Sequence, residues 1–267
     1  MKRALVVCTI VDFLNFELSD IMLLQELGYE VHCATNLKDG GSVVDELKRL
    51  NTVIHQVDFE RTPFSINNIR AYRQLKGIMG KTHYDLVHCH TPMGGVLGRL
   101  CASKYRKRGT NIVYTAHGFH FFEGAPFKNW VLYYPIEKCL SKYTDVLITI
   151  NKEDYEIAKK KFHAKRVEYV PGVGLDLSKF NHSEKSRYEK RIELGIKDSD
   201  TVLLSVGELN ENKNHEAFIK ALAQLNGEKS LDSVKYLICG QGEKKDTLEK
   251  LAEELGLKDI VGFLGFR

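Results

Sequence analysis

Histidine and glycine residues cluster at the end of one predicted strand. The segment TAHGFHFFEGAP covers residues 115–126; His117 directly follows an apolar strand, and Gly118 lets the chain turn sharply. A histidine in this place can donate a hydrogen bond to a sugar hydroxyl or to a phosphate. The pattern predicts a sugar pocket with His117 as its catalytic residue. The alternative is a core loop that holds a hydrogen-bonded histidine.

A second pair of histidines lies in VHCHTPMGG, residues 87–95. His88 and His90 alternate along a strand and therefore share one face, whereas Cys89 points to the other. Pro92 then begins a helix whose N-terminal amides could bind an anion. A metal site is the competing interpretation, but no carboxylate or thiolate pair lies nearby at zinc spacing. We therefore expect no metal here.

A lysine and several strand-end glycines are the other candidates for ligand binding. Lys213 lies in SVGELNENKNHEAF, residues 205–218, with Glu208 earlier in the same loop. A single lysine before a helix N-terminus suits a diphosphate, although an isolated loop lysine is commonly only solvated. The glycines could bring the backbone close to a ligand or could simply turn the chain. They are Gly172, Gly207, Gly240 and Gly265.

Several well-known motifs are missing from the sequence. It contains no GxxxxGK[ST], no GxSxG and no complete GxGxxG after the first strand. The loop CTIVDFLNFE after that strand has no glycine, which argues against an ordinary dinucleotide-binding dehydrogenase. The N-terminus MKRALVVCTIVDF lacks a cleavage site and is interpreted as a buried first strand.

Composition and charge point to a cytoplasmic globular protein. The 267 residues are 43% hydrophobic and 28% charged, and none of the six cysteines forms a CxxC pair. Residues 1–176 hold 24 Lys+Arg against 19 Asp+Glu, a balance of +5, and the remainder holds 15 against 16, a balance of −1. The basic clusters at 104–108 and 159–166 are either solvated helix faces or contacts for anionic lipid or a phosphorylated acceptor. They lack the interleaved aromatics of a nucleic-acid surface.

The elements that must position these residues alternate along the chain, which is typical of an α/β fold with a parallel sheet. In the first part we predict helices at 18–25, 42–50, 66–81, 93–107, 127–142 and 151–162. Asn151 is expected to cap the last of these helices, and Pro135 to kink or break the one before it. The predicted strands are ALVVCTI, EVHCAT, TVIHQV, YDLVHCH, NIVYTAH, DVLITI and RVEYVPG.

A second series follows a polar stretch. Residues 177–200 read as a linker with a short surface helix, so the predicted domains are 1–176 and 201–267. The second domain would contain the strands TVLLSVG, KYLICGQG and DIVGFLG, with helices at 214–226 and 243–255. A complete doubly wound domain needs about five or six strands. The sequence therefore predicts an incomplete second domain and a chain less active than a longer parent.

The sequence resembles the group 1, or family 4, glycosyltransferases of bacterial surface-polysaccharide synthesis. The resemblance rests on the residues quoted above and on the segments NWVLYYPIEKCL, YTDVLITINKEDYEIAKK and YVPGVGLD. The resemblance runs from about residue 80 to the end and is weaker over the first 75 residues. It implies two Rossmann-like domains that face one another across a cleft. It also implies metal-independent transfer, with retention, from a nucleotide-sugar such as a UDP-sugar, and no cofactor.

The resemblance assigns roles residue by residue. His117 matches the histidine that contacts the donor sugar, and Lys213 the diphosphate-binding lysine. Glu208 stands where many relatives have an arginine, and the relatives' paired glutamates would lie beyond Arg267. His88 and His90 fall on the acceptor side. The remaining donor-binding candidates are Gly118, Gly172, Gly207, Gly240 and Gly265.

The implied partners are a nucleotide-sugar donor and a lipid-linked or growing polysaccharide acceptor, in exopolysaccharide or capsule synthesis. Both would be met at the inner face of the cytoplasmic membrane, to which the chain would bind peripherally. Two alternatives stay open at this point. One is a nucleotide-sugar epimerase or hydrolase of the same architecture, and the other is an inactive fragment.

Overall fold

A seven-stranded, fully parallel sheet forms the framework of the first unit of the chain, Met1–Leu175. The computed structural model describes residues 1–38, 40–174, 177 and 184–267. The strands in chain order are β1 (Lys2–Ile10), β2 (Tyr29–Asn36), β3 (Val53–Gln56), β4 (Leu86–Cys89), β5 (Asn111–Ala116), β6 (Val146–Thr149) and β7 (Arg166–Tyr169).

The order of these strands across the sheet is β3-β2-β1-β4-β5-β6-β7. The order therefore reverses between β1 and β4, which lie side by side although the chain makes two further strands between them. In open α/β sheets, ligands bind at the carboxyl ends of strands beside such a reversal. The fold thus identifies the loops after β1, β4 and β5 as the first place to look for a site.

Helices cover both faces of the sheet, and this explains why its strands are continuous apolar runs. On β1, Ala4 and Val6 pack with one set of helices, while Leu5 and Val7 pack with the other. The helices are α1 (Leu18–Glu26), α2 (Ser42–Arg49), α3 (Asn67–Lys81), α4 (Pro92–Ala102), α5 (Phe127–Ser141) and α6 (Lys152–Lys161). A 3-10 helix, Val11–Phe16, joins β1 to α1.

Helix α4 packs unusually closely on the sheet because three of its residues have no side chain. A Cβ at Gly98 would lie 2.5 Å from the Cys89 sulfur, and one at Gly95 would lie 2.5 Å from the Tyr114 ring. Real Cβ atoms do not approach that closely, so both positions need glycine. The close contact places the start of α4 directly beside the ends of β1 and β4.

The predicted elements of this unit are confirmed with small shifts at their ends, and two details differ. Asn151 caps α6 as predicted, because its side chain accepts a hydrogen bond of 2.8 Å from the Asp154 N–H. Of the kink or break expected at Pro135, the break is wrong, because helix α5 continues through that residue. Helix α4 ends at Ala102, and a 3-10 helix, Ser103–Arg108, replaces its predicted last turn.

The second unit, Asp176–Arg267, holds a three-stranded parallel sheet in the order β10-β9-β8. Its strands are β8 (Thr201–Val206), β9 (Val234–Cys239) and β10 (Val261–Gly265), and its helices are α7 (Glu184–Glu193), α8 (His215–Glu228) and α9 (Lys245–Glu254). A core that includes Leu209, Ile219 and Leu248 holds this unit together. In the described parts of both units, no helix combines the length and apolarity that a bilayer span requires.

Candidate active site

Three side chains from distant parts of the sequence meet at the carboxyl edge of the large sheet. Glu17 follows β1 and the 3-10 helix, His90 follows β4, and His117 follows β5. Their facing atoms form a nearly equilateral triangle. Glu17 Oε1 lies 3.2 Å from His90 Nδ1 and 3.4 Å from His117 Nε2, and the two imidazole nitrogens are 3.2 Å apart.

The triangle is deeply buried but remains open at one corner. The side chains of His90 and Glu17 are 1% and 4% exposed, whereas that of His117 is 16% exposed. Phe13 packs the edge of its ring against His117, with 4.7 Å between ring centroids. Of the three residues, His117 is therefore the one that a ligand in solution reaches most directly.

Burial sets the charge of this cluster. It raises the pKa of Glu17 to about 6, although the nearby His117 and Asp20 partly oppose that rise. Burial also lowers the pKa of His90 well below its usual value, helped by His117, and lowers that of His117, opposed by Glu17. The pKa of Asp20 is raised by burial and by the charge of Glu17. Burial therefore disfavours the charged form of each of the three residues.

The hydrogen bonding of the cluster is incomplete. Within the described residues, Glu17 Oε1 receives no well-directed hydrogen bond although two imidazole nitrogens lie within 3.4 Å, and His90 Nε2 also has no partner. Buried polar atoms are normally paired, and an exception of this kind calls for an explanation. A ligand or an ion that binds at this point would supply one.

A pocket of about 400 Å³ opens beside the triangle. Glu17, Asp20, His88, His117 and Gly172 line it, so the structure brings together three residues that the sequence had singled out separately. Gly172 has a φ of +86° and Gly118, next to His117, has a φ of +129°. These backbone conformations strain any residue with a Cβ, which is the physical reason for glycine at both positions.

The structure changes the interpretation of His88 and His90. Their rings lie together, with 4.0 Å between centroids, so the shared strand face is confirmed. Both are buried, however, and lie against the His117 cluster, and His88 Nε2 is bonded to the Thr115 hydroxyl at 2.8 Å. The parallel neighbours β4 and β5 end at the same point, which brings both histidines beside His117. Their acceptor-side role stays a prediction.

At the start of α4, where the sequence predicted that free amides could bind an anion, one amide already has a partner within the protein. The Gly94 N–H donates to the Thr9 hydroxyl at 3.1 Å, and the Thr9 and Thr91 hydroxyls are 2.7 Å apart. A side chain from the end of β1 thus takes this helix-terminal donor. The sequence pattern could not show this, because Thr9 is 82 residues away from Thr91 along the chain.

Two of the aromatic residues after His117, Phe119 and Phe121, are buried. Phe121 is fully buried, and its ring packs with Phe119, Trp130 and Tyr134. The Phe119 N–H donates to Asp154 Oδ2 at 2.9 Å, which ties the loop to the start of α6. These contacts fix the loop that carries His117.

A second, largely apolar pocket of about 250 Å³ lies beside the same loop. Its lining includes Arg61, Phe64, Met93, Phe119 and Leu132. The segment that follows β3 and helix α5 both contribute to its walls. Phe64 in its wall and Phe127 at the start of α5, the helix that contributes Leu132 to the lining, are among the most exposed aromatic side chains of the described residues.

In the second unit, Lys213 lies in the loop between β8 and α8. Its side chain is exposed, and its carbon atoms pass 3.5–3.6 Å from the position that a Cβ of Gly207 would occupy. Asn210 organises the loop, since it accepts from the Lys213 N–H at 3.0 Å and donates to Glu208 at 2.7 Å. Helix α8 begins after Asn214, which makes no side-chain capping bond. A cation thus stands just before a helix N-terminus, as the sequence predicted.

The other glycines of this unit have packing reasons of their own. A Cβ at Gly240 would lie 1.9 Å from the Gly207 carbonyl oxygen, so the two strand ends can meet only without it. The Gly240 N–H donates to the Gly265 carbonyl at 2.8 Å, and Gly265 has a φ of +70°. These contacts account for the glycines without a ligand, and their donor-binding role stays a prediction.

The sequence analysis missed Glu17 and Thr9. Both lie in or after the first strand, in the region where the glycine-free loop had only served to exclude a dehydrogenase. The one available signal was an acidic residue shortly after a buried strand, since strand ends carry ligand sites in this fold class.

Family models match both parts of the chain. The model described as glycosyl transferase 4-like matches residues 10–151, and the one described as glycosyl transferases group 1 matches residues 186–267. EpsD of Bacillus subtilis, a protein assigned as a glycosyltransferase, is 40% identical over 270 residues, covering 100% of this chain and 68% of EpsD.

Two further similarities bear on fold and chemistry. The UDP-Gal:alpha-D-GlcNAc-diphosphoundecaprenol alpha-1,3-galactosyltransferase of Escherichia coli is 30% identical over 207 residues, covering 76% of this chain and 52% of that protein. The chain thus spans about half the length of this second relative. The crystal structure of HepE from Anabaena, in complex with UDP and glucose, superposes with a TM-score of 0.74 at 19% identity, over 100% of this chain and 70% of HepE. This superposition identifies the fold.

Proposed function

The chain belongs to the family 4, or group 1, glycosyltransferases, and we propose that it transfers a sugar from a UDP-sugar to a lipid-linked acceptor in exopolysaccharide synthesis. The observation that carries the proposal is the placement of His117. This largely buried histidine follows β5 beside a positive-φ glycine and lines a pocket with Glu17, Asp20 and Gly172. Such a pocket offers several hydrogen-bonding groups to a sugar.

In the proposed reaction, His117 contacts the transferred sugar and Lys213 binds the diphosphate. The bond from the anomeric carbon to the diphosphate breaks, and the acceptor oxygen bonds to the same face of that carbon. The acceptor proton passes to the departing phosphate, so retention needs no protein nucleophile. The charge that develops on the leaving group is stabilised by Lys213 and by the helix-terminal amides of α8, without a metal ion or a cofactor.

The buried neighbours of His117 serve this role by fixing its ring. Phe13 packs against the imidazole, while His90 and Glu17 lie behind it. Preorganised donors cost no rearrangement when the transition state forms. We propose that His88 and His90 support the sugar-binding histidine in this way, and the acceptor role first expected for them passes to other residues.

The acceptor proposal rests on the relative and on the second pocket. The Escherichia coli enzyme named above acts on a diphosphoundecaprenol-linked sugar, as its name states. In this chain the apolar pocket beside the loop after β5 combines Phe64, Met93 and Leu132 with one cation, Arg61. Apolar walls suit a lipid chain and an arginine suits its diphosphate. We assign this pocket to the lipid-linked acceptor.

The same surface is our candidate for peripheral contact with the inner face of the cytoplasmic membrane. We define the apolar rim as Phe64, Ile66, Phe127 and Val131, whose side chains are all more than half exposed. Large exposed apolar groups near a lipid-binding pocket are typical of membrane-contacting surfaces. Replacing Phe64 and Phe127 with serine should weaken co-sedimentation with phosphatidylglycerol vesicles more than replacing Lys159, Lys160 and Lys161 with glutamine. The reverse ranking would return the membrane contact to the basic clusters.

The direct test is a transfer assay on the full chain with a panel of UDP-sugars and undecaprenyl-diphosphate-linked acceptors. We expect UDP release that depends on the acceptor, and a product with the anomeric configuration of the donor. Equal UDP release with and without acceptor would instead indicate a nucleotide-sugar hydrolase or epimerase. No turnover of any donor, in a chain that circular dichroism shows to be folded, would contradict the proposal for this chain and favour the alternative of an inactive fragment.

A further inference from the structure

The triangle of Glu17, His90 and His117 has the dimensions of a metal site. Its three sides measure 3.2, 3.4 and 3.2 Å. Ligands at about 2.0–2.1 Å from a tetrahedral zinc ion lie about 3.3–3.4 Å from one another. These atoms also lie mutually close enough to share one ion, each residue offering one donor atom. We propose that the triangle is a binding site for a zinc-type divalent cation.

Hydrogen bonding alone accounts poorly for this geometry. A charge-assisted N–H···O⁻ bond is normally about 2.7–2.9 Å long, shorter than either contact to Glu17. If both imidazoles turned an N–H inward, two donors would face each other at 3.2 Å. If only one imidazole did so, its single N–H proton would be shared between the other imidazole nitrogen and Glu17 Oε1. Glu17 Oε1 is in fact left without a well-directed partner, although its side chain is 4% exposed.

The chemistry of the donor set selects the cation. Two imidazole nitrogens and one carboxylate oxygen are the set that zinc uses in sites with an open fourth position. Mg²⁺ prefers an octahedron of oxygen atoms and retains several waters, which two nitrogen donors in a buried corner do not provide. Glu17 and His117 also line the adjoining pocket, from which a water molecule could supply a fourth ligand.

The sequence predicted no metal because no carboxylate lies near His88 and His90 in the chain. Glu17 supplies one because β1 and β4 are parallel neighbours and end together. Its placement depends on strand order, which no local spacing encodes.

A cation at this site would prevent the sugar contact that we propose for His117. Nε2 of His117 would bind the ion, and the ion with its water would occupy the adjoining part of the pocket. The metal-free chain is then the transferring form, and zinc is an inhibitor that competes with the donor sugar. This second part rests on the proposed function, whereas binding of the cation does not.

The binding test uses Zn²⁺ and Co²⁺ on the full chain after treatment with a chelator. We expect one Zn²⁺ per chain by calorimetry and elemental analysis, and the strong visible absorption of tetrahedral Co²⁺. Glu17→Gln and His90→Asn should each weaken binding at least about 100-fold, because even changes outside the ligand shell cost about 10–100-fold. His83→Gln removes an exposed histidine away from the cluster and serves as the matched control. It should bind as the parent does.

Three results would overturn the metal site. They are weak binding of several ions per chain, a Co²⁺ spectrum of octahedral type, and equal losses in His83→Gln and Glu17→Gln. Circular dichroism identifies a variant that fails to fold, and Glu17→Gln keeps the test decisive if His90→Asn does so. For the second part, Zn²⁺ should inhibit transfer by the parent and not by Glu17→Gln, each measured against its own metal-free rate. Tight binding without any transferase activity would reject the proposed function and leave the metal site standing.

Discussion

The two edges of the large sheet each bury a carboxylate, and they treat it in opposite ways. At the amino edge, Asp145 accepts from Arg106 Nη2 at 2.7 Å, from Lys165 Nζ at 2.6 Å and from the Ile112 N–H at 2.9 Å. At the carboxyl edge, Glu17 Oε1 has no well-directed partner in the described chain. The Asp145 carboxylate is paired with several donors, whereas Glu17 Oε1 is left free to bind a ligand or an ion.

The pKa values follow this difference. Burial alone would raise the pKa of Asp145, but hydrogen bonds from Arg106, Lys165 and the Ile112 amide outweigh it, and the pKa is lowered. At Glu17, burial prevails and the pKa rises to about 6. A completed charge network stabilises a fold, whereas an incomplete one costs stability and is retained where ligands bind.

The comparison also explains part of the basic charge. Arg106 and Lys165 come from the two basic clusters that the sequence offered as lipid contacts, yet both bind Asp145. Charges paired in this way are less available to a membrane. The clusters therefore contribute at least partly to the stability of the amino edge, far from the proposed site at the other end of the strands.

The largest expected change in unfolding free energy comes from substitution of Asp145 at the amino edge of the sheet. Asp145→Ala should destabilise the fold by about 2–3 kcal/mol, because it leaves the buried Ile112 N–H without its acceptor and removes the charge-assisted hydrogen bonds from Arg106. Chemical denaturation of both chains measures this. Glu168→Gln, which removes the exposed partner of Arg166, is the matched control and should change stability by less than about 0.5 kcal/mol. Equal losses would mean that pairing at Asp145 is not special.

The same pair predicts a pH dependence. The folded pKa of Asp145 is lowered, so its contribution is fully present above the unfolded value of about 3.9 and is lost as pH falls through the folded value. The stability difference between the parent and Asp145→Asn should therefore shrink at acidic pH. A difference that stays constant down to pH values well below the ordinary aspartate pKa would contradict this account.

The next prediction concerns turnover and tests whether the cluster at the carboxyl edge is a functional site. His117→Ala should lower turnover at least about tenfold, a loss of about 1.4 kcal/mol of transition-state stabilisation. The side chain is only 16% exposed and packs against Phe13 and His90, so the stability of the variant must be measured beside its kinetics. Unchanged kinetics in this variant would remove His117 from the reaction and weaken the contrast between the edges.

Lys213 is exposed, unlike His117, so its substitution tests whether an exposed cation contributes to binding of the donor diphosphate. Lys213→Ala should weaken the affinity for UDP severalfold and scarcely change that for uridine, because the lysine is proposed to contact only the diphosphate. Calorimetric titrations with both ligands measure the difference. Equal losses would show that the substitution acts through the folding of the loop that Asn210 organises.

The smallest expected change in unfolding free energy is that of Glu17→Gln, and it compares the two carboxylates directly. With a chelator present, Glu17→Gln should leave the unfolding free energy unchanged or slightly higher, because a buried charge without full hydrogen bonding costs stability. The nearly isosteric change Asp145→Asn should lower it. A marked destabilisation by Glu17→Gln would mean that the carboxylate is a structural partner of the histidines.

Part of the site was visible in the sequence for a clear reason. His117 and Gly118 directly follow a strong strand pattern, and a strand end in a parallel sheet is a place for ligands. The position of Lys213 before a helix N-terminus was equally local. Other features depend on neighbours that are distant in the sequence, so local patterns do not predict them. They are the contacts of His88 and His90 with His117, the hydrogen bond from the Gly94 N–H to Thr9, and the continuous helix α5 through Pro135.

By itself, the sequence determined the elements. Strands buried on both faces must be apolar runs, and helices between them must carry one apolar face, so each leaves a local pattern. Which strands lie side by side was decided only in the tertiary structure, because the energy that orders a sheet comes from contacts between distant segments. That order places β1 against β4 and β5 beyond it. It thereby brings Glu17, His90 and His117 to one point.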